Sequence, residues 1–110
     1  MQKNNIGLLI MKKEDENKIY QEALEFFGAT SQKIMVIEEM SELTKELCKE
    51  LRDRGNIENI ADELADVEIT LAQIKNIYGI SESVEEHKDF KLRRFASRMA
   101  ELKLQQNEQN

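Results

Sequence analysis

The chain has 110 residues, with no proline, four glycines, 40% hydrophobic, 35% charged and 5% aromatic residues, which suits one domain of amphipathic helices around a single core. A formal net charge of −6 excludes nucleic-acid binding by neutralisation of backbone phosphates, while nucleotides stay open because a bound cation reverses the sign at a carboxylate site. The single cysteine, Cys48, excludes an internal disulfide and fits a reducing, cytoplasmic setting.

Residues 1–13 read as an N-terminal extension. Its apolar run Ile6-Gly7-Leu8-Leu9-Ile10-Met11 is too short to span a bilayer and lacks a small-residue cleavage site. No membrane segment or signal peptide is expected, and the run should pack on the core or on a partner chain. A first helix is predicted from Glu14 to Phe27, with Gly28 as its stop. Thr30 or Ser31 should cap a second helix whose stripe is Ile34, Ile37, Met40, Leu47 and Leu51, ending near Gly55. Asn56 should cap a third, with Ile57, Ile60, Leu64, Val67, Leu71, Ile74 and Ile77 as the strongest periodic signal, closed by Gly79. Ser83 with Glu86 reads as a capping box opening a fourth helix that carries Phe90, Phe95, Met99 and Leu102. Residues 105–110 form a polar, flexible tail. Short connections between long helices favour antiparallel neighbours, so the expectation is one all-α domain, 1–110, built as a four-helix bundle.

Two carboxylate pairs stand out, Glu39-Met40-Ser41-Glu42 and Glu63-Leu64-Ala65-Asp66. Residues three apart share a helix face, so each pair makes a two-pronged acidic claw beside an apolar stripe. Buried carboxylates without partners are disfavoured, and four converging ones call for a cation or raised pKa values. Oxygen-only ligation suits Mg²⁺, with Mn²⁺ as a substitute, and Mg²⁺ is commonly held by carboxylates together with substrate phosphates. If the second and third helices are antiparallel, the geometry permits the claws to face each other, since Glu42 and Glu63 lie about 18 Å or less along their helices from the Gly55 turn. A lone Glu-x-x-Glu pair is usually only a solvated helix face. Two pairs mirrored about one turn are more specific.

The string Glu38-Glu39-Met40-Ser41-Glu42-Leu43, followed by Asp62-Glu63-Leu64-Ala65-Asp66-Val67, resembles the Glu-Glu-x-x-Glu and Glu-x-x-Asp signature of MazG-like proteins. These belong to the all-α nucleoside triphosphate pyrophosphatase superfamily. The resemblance covers the two central helices well and the outer two loosely. It implies a Mg²⁺-dependent pyrophosphohydrolase that releases a nucleoside monophosphate and pyrophosphate. It also implies metal ligation by Glu39, Glu42, Glu63 and Asp66, with Glu38 as a further ligand or water-orienting base. Lys91 and Arg94 loosely match a basic cluster that would hold the outer phosphates. Related bundles generally build their pocket at a subunit interface, so a homodimer or homotetramer is expected. The rival readings are a phosphoribosyl-ATP pyrophosphohydrolase-like enzyme and a non-catalytic helical module that binds metal or partners.

The remaining candidates read more plainly. Lys88, Lys91, Arg93, Arg94 and Arg98 make a local basic stretch in the fourth helix, which is otherwise a solvated face. His87 is the only histidine and reads as a surface residue, which excludes the ferritin-like Glu-x-x-His plan. Cys48 reads as a small apolar residue. Tyr20, Phe26 and Phe27 belong by default to a core, with stacking on a base as the alternative. No glycine-rich phosphate loop is present.

Overall fold

The computed structural model describes residues 2–3 and 9–109. Gln2–Lys3 (β1) pairs antiparallel with Leu9–Ile10 (β2), with Gln2 opposite Ile10 and Lys3 opposite Leu9. The rest of the described architecture is helical: α1 spans Lys13–Phe27, α2 Ala29–Leu51, α3 Ile57–Tyr78 and α4 Ser81–Gln109. The all-α expectation therefore stands. Among the described residues no helix is long and apolar enough to cross a membrane. Ile6, Gly7 and Leu8 of the expected packing run lie outside the described residues, and its remainder, Leu9 to Met11, is exposed rather than packed on the core.

Local chemistry sets the helix boundaries. Gly28 ends α1 at a positive φ of 85° and its amide donates to the Leu24 carbonyl. The same glycine stands as the N-cap of α2, so neither Thr30 nor Ser31 caps that helix; both lie within it. Asn56 does cap α3, its Oδ1 accepting from the amides of Glu58 at 2.8 Å and Asn59 at 3.2 Å. Gly79 closes α3 in the left-handed region. The fourth helix opens earlier than its Ser83–Glu86 pair suggests, at Ser81, and continues through Gln109, so residues 105–109 extend the helix.

The end of α2 departs from expectation in an instructive way. Its last helical residue is Leu51, and Asp53, not Gly55, adopts the left-handed conformation with φ 58°. The Arg54 amide donates to the Lys49 carbonyl at 2.9 Å and the Asp53 amide to Glu50 at 2.9 Å, the paired bonds of a Schellman stop. Gly55 is required for another reason. A Cβ there would sit 2.5 Å from both the Cα and the Cβ of Glu50, so the returning chain passes too close to α2 for any side chain.

Two compact units result, Met1–Gly79 and Ile80–Asn110. Within the first, α2 and α3 form a closely packed hairpin, and α1 lies more lightly against both. An Asn76 Nδ2 bond to Gln21 Oε1 at 3.5 Å links α3 to α1. The second unit is the single long helix α4, with no buried residue.

The buried face of α2 is not the stripe its sequence advertises. Gln32, Val36 and Glu46 are buried and Glu39 and Leu43 half-buried, whereas Ile34, Ile37, Met40, Leu47 and Leu51 are all exposed. On α3, Val67 and Thr70 are buried and Ile60, Glu63, Asp66, Ile74 and Ile77 half-buried, while Ile57, Leu64, Leu71 and Tyr78 remain exposed. The hairpin thus buries a mixed polar–apolar face and leaves an apolar one outside. Phe26 and Phe27 likewise are not core residues: they are 82% and 57% exposed and pack edge-to-face on each other at 4.9 Å.

Candidate metal centre

Hairpin geometry brings the acids together. Glu39 comes from the inward face of α2, in register with Gln32, Val36, Leu43 and Glu46 at successive three- and four-residue steps. Glu63 and Asp66 come from one face of α3, a turn apart. Each of Glu39, Glu63 and Asp66 offers a carboxylate oxygen, and all three oxygens lie within 4.8 Å of one another. Thr70 secures the helix below them, its hydroxyl donating to the carbonyls of Asp66 and Val67, each at 3.0 Å.

The charges in this cluster repel. Removal from water, then the facing Asp66, then Glu42, Glu38 and Asp62 raise the Glu39 pKa above its ordinary value. Glu63 is raised by removal from water, then by Asp66, Glu39, Asp62 and Glu42. By contrast, the buried Glu46 two turns along the same face of α2 has its own cation, Lys49 Nζ at 3.2 Å. Among the described residues no ion pair involves Glu39, Glu63 or Asp66. Three half-buried oxygens, converging without a countercharge, fit a small hard cation: the donors are all oxygen, their spacing allows shared ligation, and positive charge would turn the repulsion into attraction.

The other expected site residues sit differently. Glu42 is exposed and outside the close trio, though near enough to raise both glutamates. Glu38 is also exposed and lines a shallow hollow on α2 with Thr30, Ser31, Ile34 and Met35. Asp62, which reads from sequence as merely solvated, adds to the field at both glutamates. Lys91 and Arg94 belong to the second unit, where they line an open hollow with Phe95 and Arg98, and Arg94 lies over the Phe90 ring at 5.9 Å. His87 is exposed beside Val84, Lys88 and Leu92. Cys48 is exposed rather than packed.

Against protein-family models, curated proteins and solved structures the chain has no match. Sequence reasoning missed two amides of the same hairpin: buried Gln32, neither of whose polar atoms has a partner, and half-buried Gln73, whose Oε1 is buried and unpartnered. The signal available for them was their seven-residue offset from Glu39 and Asp66.

Proposed function

We propose that this chain is a Mg²⁺-dependent nucleoside triphosphate pyrophosphohydrolase, cleaving its substrate to a nucleoside monophosphate and pyrophosphate. The observation that carries the reading is the convergence of Glu39, Glu63 and Asp66 within 4.8 Å across the hairpin, three of the four acids for which the MazG-like resemblance implies metal ligation. Glu39, Glu63 and Asp66 would hold the cation, with Glu42 swinging in from the next turn of α2 as a fourth ligand. Bound Mg²⁺ would supply charge neutralisation at the phosphate oxygens and a lowered pKa for water. The chain's own part is to fix the phosphate chain between the two helices and to accept a proton from the attacking water. Glu38 is the residue assigned to that proton, since it neighbours the trio without belonging to it.

Assembly belongs to the same proposal. Ile37, Met40, Thr44, Leu47 and Leu51 follow the alternating three- and four-residue spacing of a helix-packing seam, and the four apolar members are 44–81% exposed. Val36 and Val67 are the only buried hydrophobic residues among those described, worth up to about 1.5–3 kcal/mol each. An apolar face of this extent is normally covered. We assign it to a homodimer or a dimer of dimers, with the interface on the outer side of the hairpin.

The deciding experiment is pyrophosphate release from a panel of canonical and modified nucleoside triphosphates with Mg²⁺, repeated with Glu63→Gln. Turnover that the amide variant abolishes without loss of helicity supports the reading. Failure of every nucleotide to release pyrophosphate overturns it and leaves the non-catalytic metal-binding module.

A further inference from the structure

We propose that the amides of Gln32 and Gln73 form a recognition subsite for the nucleobase of the substrate. The proposal rests on the reading of the acids as a metal–phosphate site and adds to it the part of the ligand that those acids cannot hold.

Among the described residues Gln32 is the most deeply buried side chain, 1% exposed, and both its Oε1 and its Nε2 lack a hydrogen-bond partner. The Oε1 of half-buried Gln73 is also buried and unpartnered, so the two amides do not satisfy each other. Thr70 does not rescue them, because its hydroxyl is spent within α3. Each idle buried polar group carries a desolvation cost that a partner would remove.

The chemistry of the vacant atoms narrows the partner. A cation would engage only the oxygens, and an anion only Nε2. In Gln32 both the donor and the acceptor are idle, and they stand side by side. Their complement is a planar edge that presents an acceptor next to a donor, as nucleobases do. Amides read base edges in this bidentate way elsewhere.

Position supports the same partner. Gln32 precedes Glu39 by seven residues on α2, and Gln73 follows Asp66 by seven on α3. Because the helices run in opposite directions, both offsets lead toward the same end of the hairpin. Seven residues make two turns, about 10 Å of rise, so the amides lie two turns from the acids along the same inward faces, with Val36, Val67 and Thr70 buried in the interval. Asn76, one turn beyond Gln73, bonds Gln21 of α1 and helps close that end of the hairpin.

The test compares binding of two probes to the full chain in Mg²⁺ by titration calorimetry: α,β-imido analogues of the four deoxynucleoside triphosphates, and inorganic tripolyphosphate, which has no base. At least one analogue should bind about tenfold or more tightly than tripolyphosphate, the scale of one or two well-made buried hydrogen bonds. Gln32→Leu and Gln73→Leu should each remove most of that increment and leave tripolyphosphate binding unchanged, which also reports that the site is folded. Should Gln32→Leu fail to fold, the unmodified protein still decides: the Gln32 side-chain amide resonances must shift with the analogue and stay put with tripolyphosphate. Equal affinity for tripolyphosphate and all four analogues, or Gln32 resonances that ignore the analogue, overturns the base subsite while leaving the phosphate site standing. Absence of tripolyphosphate binding in Mg²⁺ overturns the metal–phosphate reading itself, and the base subsite falls with it.

Discussion

Glu39 of α2 and Asp66 of α3 face each other across the hairpin with carboxylate oxygens no more than 4.8 Å apart, and Glu63 completes the trio. Glu46 has a lysine partner, whereas among the described residues no ion pair involves this trio. Mg²⁺ or Mn²⁺ should therefore stabilise the protein, because the cation binds the folded arrangement and not the unfolded chain. A hundredfold excess over the dissociation constant adds about 2.7 kcal/mol. Glu63→Gln should raise the melting temperature without metal, by relieving repulsion, and erase the metal-induced rise. Scanning calorimetry of both proteins with and without millimolar Mg²⁺ checks the pair of effects; an unchanged melting temperature on adding metal would count against a preformed site.

The pH dependence follows from the same repulsion. Glu39 and Glu63 are raised above the ordinary glutamate value of 4.5 when folded, so the folded protein holds protons that the unfolded chain has already released. The linkage then runs opposite to that of a salt-bridged acid: stability of the metal-free protein falls as pH rises from about 4.5 through the raised values. The protons belong to the cluster rather than to either residue. Saturating Mg²⁺ should flatten this slope, and metal affinity should weaken toward acid pH as protons compete for the oxygens. Melting temperatures across that range, with and without Mg²⁺, test both signs.

Much of the hairpin was legible in the sequence because its punctuation is local chemistry. Asn56 and Gly79 bound α3 as their residue types require, and Gly28 stops α1. The approach of Glu39, Glu63 and Asp66 was legible because a three-residue spacing on each arm of a short turn leaves few alternatives, whereas Glu42, expected with them, is exposed and outside the trio. The inward face of α2 was not legible. Its apolar periodicity points to Ile37, Met40 and Leu47, whereas the chain buries Gln32, Val36 and Glu46. Hydrophobic periodicity finds the most apolar face, and here the face that α2 buries carries Gln32, Glu39 and Glu46 among its apolar residues. The start of α4 was missed for a related reason: Ser83 and Glu86 look like a cap, yet the helix begins ahead of them, at Ser81.

The turn between α2 and α3 offers a separate check on the fold. Asp53 holds a left-handed conformation at φ 58°, where glycine is free of the Cβ penalty. Asp53→Gly should stabilise by up to about 1 kcal/mol. Gly55→Ala should destabilise by about 1–3 kcal/mol, since its Cβ would fall 2.5 Å from the Glu50 backbone. Asn56→Ala, which removes two cap bonds, should cost about 1 kcal/mol. Thermal melts of the three variants test the geometry independently of activity. A stabilised Gly55→Ala would mean that the chain leaves α2 along another path.

Assembly gives the last prediction. Ile37, Met40, Leu47 and Leu51 are exposed along one side of α2, and Ile57, Leu64, Leu71 and Tyr78 recur every seven residues along α3, 43–71% exposed. Neither row takes part in the α2–α3 face that carries the acids, so substitution there spares the trio. If a second copy covers them in a two-fold contact, each row meets apolar surface of the partner, and a charge placed in the seam is buried twice per dimer. Ile37→Lys combined with Leu47→Lys should therefore convert an oligomer to a species near the 12.9 kDa of one chain. Exposed surface substitutions change stability by no more than about 0.5 kcal/mol, so in a monomer the same pair would leave both mass and melting temperature almost unmoved. Light scattering at micromolar concentration separates the cases. A mass near 12.9 kDa for the unsubstituted protein would remove the oligomer, and with it any site that needs residues from two chains.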